Sequence, residues 1–273
     1  MAKTSDLIMA IATPDASLEI VGGKARSLAI LATHEMPVPS GFVITTEGYN
    51  KFVEASGLSA SIHNALTDLV DYDTKAIEAA SGNIQSLFNT SKLELEQTAE
   101  ILNEYSQLDH PAVAVRSSAT AEDLPELSFA GQQETYLNVQ GDTALLTAIK
   151  HCWSSLWSAR AITYRLKHNI DQKNISMAVV VQSMLEPQVS GILFTANPVT
   201  GDRSEIMINA SYGLGEAIVG GQVSPDSFIL DRDELTTKET LIGSKEVEIV
   251  QSGDQGVSIR SINPDKQAEP SMT

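Results

Sequence analysis

The hydrophobic pattern of this chain changes period along its length, and that change restricts the fold more than any other feature. Up to about Gln107 the pattern is mostly helical, with one extended stretch, Phe42-Val43-Ile44, inside the proline-bearing segment 37–45. Val21-Gly22-Gly23-Lys24 punctuates the chain before a helix over residues 25–33. Ser91-Lys92-Leu93-Glu94 reads as a capping box for the last helix of this zone. Leu145, Leu146, Ile149, Cys152, Trp153, Leu156 and Trp157 repeat at helical spacing, with the tryptophans as core anchors. From residue 176 short β-branched or alternating runs take over, at 177–182, 189–196, 205–210 and 227–230, then at 247–250 and 257–262. Asn197-Pro198-Val199-Thr200-Gly201-Asp202 is a turn between two of them. Helices first and antiparallel-looking strands afterwards predict an α+β protein with two lobes. Its zones are a helical part at 1–110, a loop-and-tryptophan-helix part at 111–175, a strand-rich part at 176–262 and a polar tail at 263–273.

The stretch 115–137 carries the densest chemistry. An apolar run, 112–115, ends in Arg116, and Ser117, Ser118 and Thr120 follow at once. Next come Glu122, Asp123 and a small-residue segment containing Ala130, Gly131 and Thr135. A strand that ends in a guanidinium and hydroxyls suits an anion such as a polyphosphate, because arginine can fork onto two oxygens in one plane. Gly131 would let backbone N–H groups approach a ligand closely. The ordinary alternative is an arginine paired with Glu122 or Asp123, and on this stretch alone the two readings balance.

Composition sharpens the choice of partner. The net charge is −17, from 18 Lys+Arg against 35 Asp+Glu. Such a surface argues against nucleic acid and against an anionic membrane as partners. It also makes each well-placed cation more telling. The single cysteine, Cys152, excludes an intrachain disulfide and reads as a buried structural thiol, which suits a reducing cytoplasm. The apolar run at 7–12 is too short, and too closely flanked by Asp6 and Asp15, for a signal peptide, and no run is long enough to span a bilayer.

Three further segments qualify as sites, each with a plain alternative. Gly22-Gly23-Lys24 sets a lysine at a helix start, where phosphate is favoured, but Ala25 follows Lys24, so it is no Walker A loop; alone it is better described as a turn with a solvated lysine. Gln182-Ser183-Met184-Leu185 closes an apolar strand and can offer backbone groups to an adenine edge, or be an ordinary strand end. Tyr212-Gly213-Leu214-Gly215-Glu216 permits close backbone approach. It is not a dinucleotide loop, since Ile218 stands at the third glycine position, and a simple strand-to-helix turn explains it as well. His34, His63, His110, His151 and His168 are not spaced for a metal, and no metal ligand is assigned.

Taken in order, VGGKARSL, MPVPSGFVITTEGY, AVRSSATAEDLPELSFAGQQETYLNV, VVVQSMLEPQVSGILFTANPVTG and SYGLGEAIVGGQVSPDSF resemble the N-terminal nucleotide-binding domain of the phosphoenolpyruvate synthase (pyruvate, water dikinase) family. They are equally similar to the ATP-binding domain of rifampicin phosphotransferase. The resemblance implies an ATP-grasp fold in which two lobes with antiparallel sheets hold ATP between them. By position it implies that Lys24 and Arg116 grip phosphates. It gives Ala130, Gly131 and Thr135 to the phosphate-covering loop and Gln182, Met184 and Leu185 to the adenine, with Glu216 near the ribose or phosphates. In such enzymes ATP phosphorylates a histidine on a separate carrier domain. The phosphohistidine then passes its phosphate to pyruvate or to a rifamycin bound on an acceptor domain, and ATP ends as AMP and phosphate.

Two departures limit what the chain is expected to do alone. Nothing after Asp231 reads Gln-x-Arg-Pro, the family motif that completes the phosphate and Mg2+ site, and no histidine stands in a Thr/Ser-His-Ala context. The expectation is therefore a C-terminally truncated ATP-binding part of a phosphotransferase, inactive alone and lacking protein ligands for Mg2+. The alternative is a catalytically idle nucleotide-binding module.

Overall fold

Residues 6–14, 16–67, 69–70, 73–120, 134–172 and 175–272 are described by a computed structural model. The chain divides into two compact units, Met1–Met184 and Leu185–Thr273. Both are built from helices and antiparallel sheets, the α+β architecture expected from the change of period.

The first unit contains β1 (Ile8–Ala10), α1 (Leu18–Thr33), β2 (Gly41–Ile44), α2 (Thr46–Ala55), α3 (Leu58–Leu66), α4 (Thr74–Thr90) and α5 (Leu95–Gln107). It continues through β3 (Val113–Ala119), β4 (Thr135–Val139), α6 (Asp142–Ser155), α7 (Ala159–Lys167) and β5 (Met177–Ser183). Its sheet runs β1-β2-β5-β3-β4, every pair antiparallel. The central strand β5 is buried along nearly all its length, which is why its sequence is a continuous MAVVVQ rather than an alternation. Met177–Ser183 therefore belongs with the helical unit, although its composition groups it with the later strands.

Alternation sends the two faces of this sheet to different neighbours. Phe42, Ile44, Val113, Val115, Met177, Val179 and Val181 enter a large core with Tyr49, Phe52, Phe88, Ile149, Cys152 and Trp153. Tyr49, Phe52, Phe88 and Trp153 meet there with ring centroids 5.0–6.1 Å apart. The tryptophans are core anchors as expected, and Trp157 Nε1 donates to Tyr49 Oη at 3.0 Å. On the opposite face Val43, Ala178 and Val180 pack with Val21 and Ala25 of α1. Ser91 is no capping box: it closes α4, donating its N–H to Leu87 O, and α5 starts later, at Leu95, from Glu94, whose side chain makes no cap bond.

The second unit comprises β6 (Val189–Phe194), β7 (Glu205–Tyr212), α8 (Glu216–Val219), β8 (Asp226–Asp231), β9 (Thr237–Leu241), β10 (Val247–Gln251), β11 (Val257–Ser261) and α9 (Pro264–Gln267). β6 to β9 form an antiparallel meander and β10 pairs with β11. The turn at 197–202 is fastened by Asn197 Oδ1, which accepts from the N–H groups of Val199 and Thr200. The tail is not featureless: it carries α9, and the Ser271 N–H donates to buried Asp226. No helix among the described residues is long and apolar enough to cross a membrane.

Candidate functional site

Strand alternation decides which side of the first sheet Arg116 occupies. Val113 and Val115 face the large core, so Ala114, Arg116 and Ser118 face α1. Thr135 on β4 and Val180 on β5 lie directly opposite Arg116, and Gln182 lies opposite Ala114. Directly opposed residues point the same way, so Arg116, Thr135 and Gln182 share this face. Arg116 is half-buried and Thr135 exposed. Gln182 is largely buried and donates through Nε2 to Pro39 O at 3.1 Å.

Lys24 follows a break in α1. Gly22 has φ 71° and ψ 172°, outside helical space, so the helix stops and restarts at Gly23-Lys24. The restart is fixed to β3. Ser118 Oγ donates to Val21 O at 2.8 Å and accepts from the Ala25 N–H at 3.2 Å. A Cβ on Gly22 would stand 2.1 Å from Ser118 O, so this approach requires glycine. The sequence thus brings together Gly22-Gly23-Lys24 and Arg116, two segments that are ambiguous apart. Burial pushes the Cys152 thiol well up, the Glu134 carboxylate adds to this, and the Lys24 ammonium opposes it.

The hydroxyls after Arg116 are not presented to a ligand. Ser117 and Ser118 are fully buried. Ser117 turns to the core side, and both its N–H and its Oγ donate to Glu134 O, at 3.2 and 3.1 Å. Thr120 Oγ1 contacts Ser176 O at 3.5 Å. These residues fasten backbone, a role their sequence pattern does not reveal. Ala130, Gly131, Glu122 and Asp123 lie outside the described residues.

The adenine-edge residues are divided. The Met184 N–H donates to Ala112 O at 2.9 Å, which extends the β3–β5 ladder, so the donor at that position is already used. Leu185, 61% exposed, opens the second unit. Glu216 is exposed in the first turn of α8 in that unit. The glycine before it permits a close approach, to protein: Gly213, at φ 73°, bridges Ile249 of β10, and a Cβ there would meet Ile249 O at 2.5 Å.

A cavity of about 1060 Å3 in the first unit lies away from these residues, lined by Tyr49, Ile62, Trp157, Arg165 and Gln172 among others. Arg165 is 98% buried by its 2% exposure, stands 5.3 Å over the Trp157 ring and donates through Nε to Gln172. Burial pushes its pKa down to about 10. Its Nη2 is sealed from solvent and has no partner among the described residues. This arginine packs helices, whereas Arg116 is half-buried on the face of the first sheet that α1 packs against. Among the described residues no three His, Cys, Asp or Glu side chains converge as a metal site.

A half-buried arginine and a largely buried glutamine thus share one face of the first sheet, the face against which α1 packs. Residues 18–273 match the family model for the pyruvate phosphate dikinase AMP/ATP-binding domain. The chain is 41% identical over 268 residues to the phosphoenolpyruvate synthase of Aeropyrum pernix, covering 90% of this chain and 33% of that protein. It is 38% identical over 275 residues to the phosphoenolpyruvate synthase of Pyrococcus furiosus, with 87% and 34% covered. For the probable phosphoenolpyruvate synthase of Archaeoglobus fulgidus the match is 39% over 257 residues, with 92% and 34% covered. The chain spans about a third of the length of these curated relatives. With the match running through both units, the chain belongs to the pyruvate phosphate dikinase AMP/ATP-binding domain family.

Proposed function

We propose that this chain binds ATP by its phosphates at Lys24 and Arg116, as the nucleotide-binding part of a phosphoenolpyruvate-synthase-type phosphotransferase. The observation that supports this reading is the seam between α1 and β3, in which Ser118, two residues after Arg116, bonds Val21 and Ala25 on either side of Gly22-Gly23-Lys24. Arg116 forks onto phosphate oxygens, Lys24 adds a point charge, and the restarted helix adds its N-terminal dipole. Thr135, with Ala130 and Gly131, covers the phosphates. Gln182 and the Met184–Leu185 backbone receive the adenine, with the Met184 carbonyl and Leu185 N–H as the groups to use.

Phosphoryl transfer asks little covalent chemistry of such a domain; orientation and charge neutralisation are its contribution. A histidine on a separate carrier domain takes the phosphoryl group as the bonds that held it in ATP break to leave AMP and phosphate, and then passes it to the acceptor. The net reaction is ATP, pyruvate and water going to AMP, phosphate and phosphoenolpyruvate. The name shared by the three relatives favours pyruvate over a rifamycin as the final acceptor. Magnesium accompanies the phosphates, and the described residues offer no three-ligand cluster to hold it, so no residue here is given that role. Calorimetry with ATP tests the reading. Arg116→Ala is expected to lose about 2–3 kcal/mol of binding, roughly 30- to 150-fold, with Lys24→Ala also weakened. Unchanged affinity in both variants would refute it.

A further inference from the structure

We infer that Ser118 is a positioning residue for the phosphate end of the nucleotide: its hydroxyl locks the break in α1 and so sets where Lys24 stands. The inference rests on the ATP reading above. Ser118 is fully buried, so it does not meet the ligand. Its Oγ donates to Val21 O at 2.8 Å and accepts from the Ala25 N–H at 3.2 Å, and these two partners flank Gly22-Gly23-Lys24. The break needs such a lock. Gly22, at φ 71°, interrupts the helical ladder, which leaves the Val21 carbonyl and the Ala25 amide in need of partners in a buried place. One hydroxyl satisfies both, because it is donor and acceptor at once. No larger side chain fits, since a Cβ on Gly22 would lie 2.6 Å from Ser118 Oγ and 2.1 Å from Ser118 O. The strand that carries Arg116 thereby also holds the segment that carries Lys24, and the two cations are set by a residue that touches neither ligand nor solvent.

Ser118→Ala orphans both backbone groups and frees the segment to shift. The test is a set of double-mutant cycles read by ATP calorimetry, with the folded state of each variant checked by its thermal melt. Ser118→Ala should weaken ATP binding by about tenfold. In a Lys24→Ala background that loss should disappear, whereas in a Gln182→Ala background it should remain in full. Hydrogen exchange supplies a second readout: the Ala25 amide should lose protection in Ser118→Ala while β5 amides keep theirs. An unchanged ATP affinity in Ser118→Ala, or a loss that adds fully to that of Lys24→Ala, overturns the inference while leaving the ATP reading intact. Should Lys24→Ala and Arg116→Ala both bind ATP normally, the ATP reading falls and this inference falls with it. If Ser118→Ala does not fold, Ser118→Cys, a weaker donor and acceptor of similar size, carries the same cycles.

Discussion

Asp226 and Lys245 are both fully buried, and they are each other's partners. Burial by itself would raise the Asp226 pKa, but hydrogen bonds from Lys245, from the Ser271 N–H at 2.6 Å and from the Gly243 N–H at 2.9 Å outweigh it, so the carboxyl stays below its usual range. A carboxyl whose folded pKa is depressed stabilises the fold above its unfolded pKa, near 4. That stability is lost as pH falls through the lower folded value. The second unit should therefore loosen in acid below about pH 4. Asp226→Asn should abolish this part of the acid response and cost on the order of 3–5 kcal/mol at neutral pH, because Lys245 is left buried without its counter-charge. Both tryptophans are in the first unit, so their fluorescence reports the wrong region. Hydrogen exchange at β8 amides against pH is the suitable measurement, and an unaltered acid profile in the variant would contradict the assignment.

At the scale of elements, α6 is fixed by its aromatic face. Trp153 is fully buried against Phe52, at 5.0 Å between centroids, and Tyr49, at 6.1 Å. Trp153→Ala should cost about 3–5 kcal/mol through lost burial and the cavity left behind. Chemical denaturation followed by the remaining Trp157 will show this, and a cost below about 1 kcal/mol would mean that the core collapses around the gap. Such elements are legible in the sequence because burial imposes a local period: Leu145 to Trp157 and the strand at Met177–Ser183 both declare themselves. β9 does not. Its TKETL is exposed at every position, so edge pairing with β8 leaves no apolar signature. β1 is only Ile8–Ala10, too brief to mark itself as a strand. The proposed site is legible as residue types, Lys24, Arg116 and Gln182, but not as a constellation. Its seam is a bond between residues 97 apart, Ser118 to Val21, and no local pattern reports a contact at that separation. For the same reason Gly213 reads as a ligand approach in sequence and proves to be an approach to Ile249.

Across the whole molecule, apolar burial is unevenly shared. Both hydrophobic clusters formed by the described residues lie in the first unit. In the second, fully or nearly fully buried apolar residues are few, Ala210, Tyr212, Leu214, Ala217, Ile249 and Ile262, and the Asp226–Lys245 pair occupies part of its interior. Leu193 and Leu241 of its meander are more than half exposed. Hydrophobic burial is the main favourable term in folding, whereas a buried ion pair adds little net stability after desolvation. Local opening should accordingly cost less in the second unit than in the first. Native-state hydrogen exchange on the unliganded chain should show amides of β3 and β5 exchanging at least about tenfold more slowly than those of β7 and β8, after correction for intrinsic rates. Equal protection in the two sets would mean that the units open together, and that the uneven division of apolar burial does not set the order in which this chain comes apart.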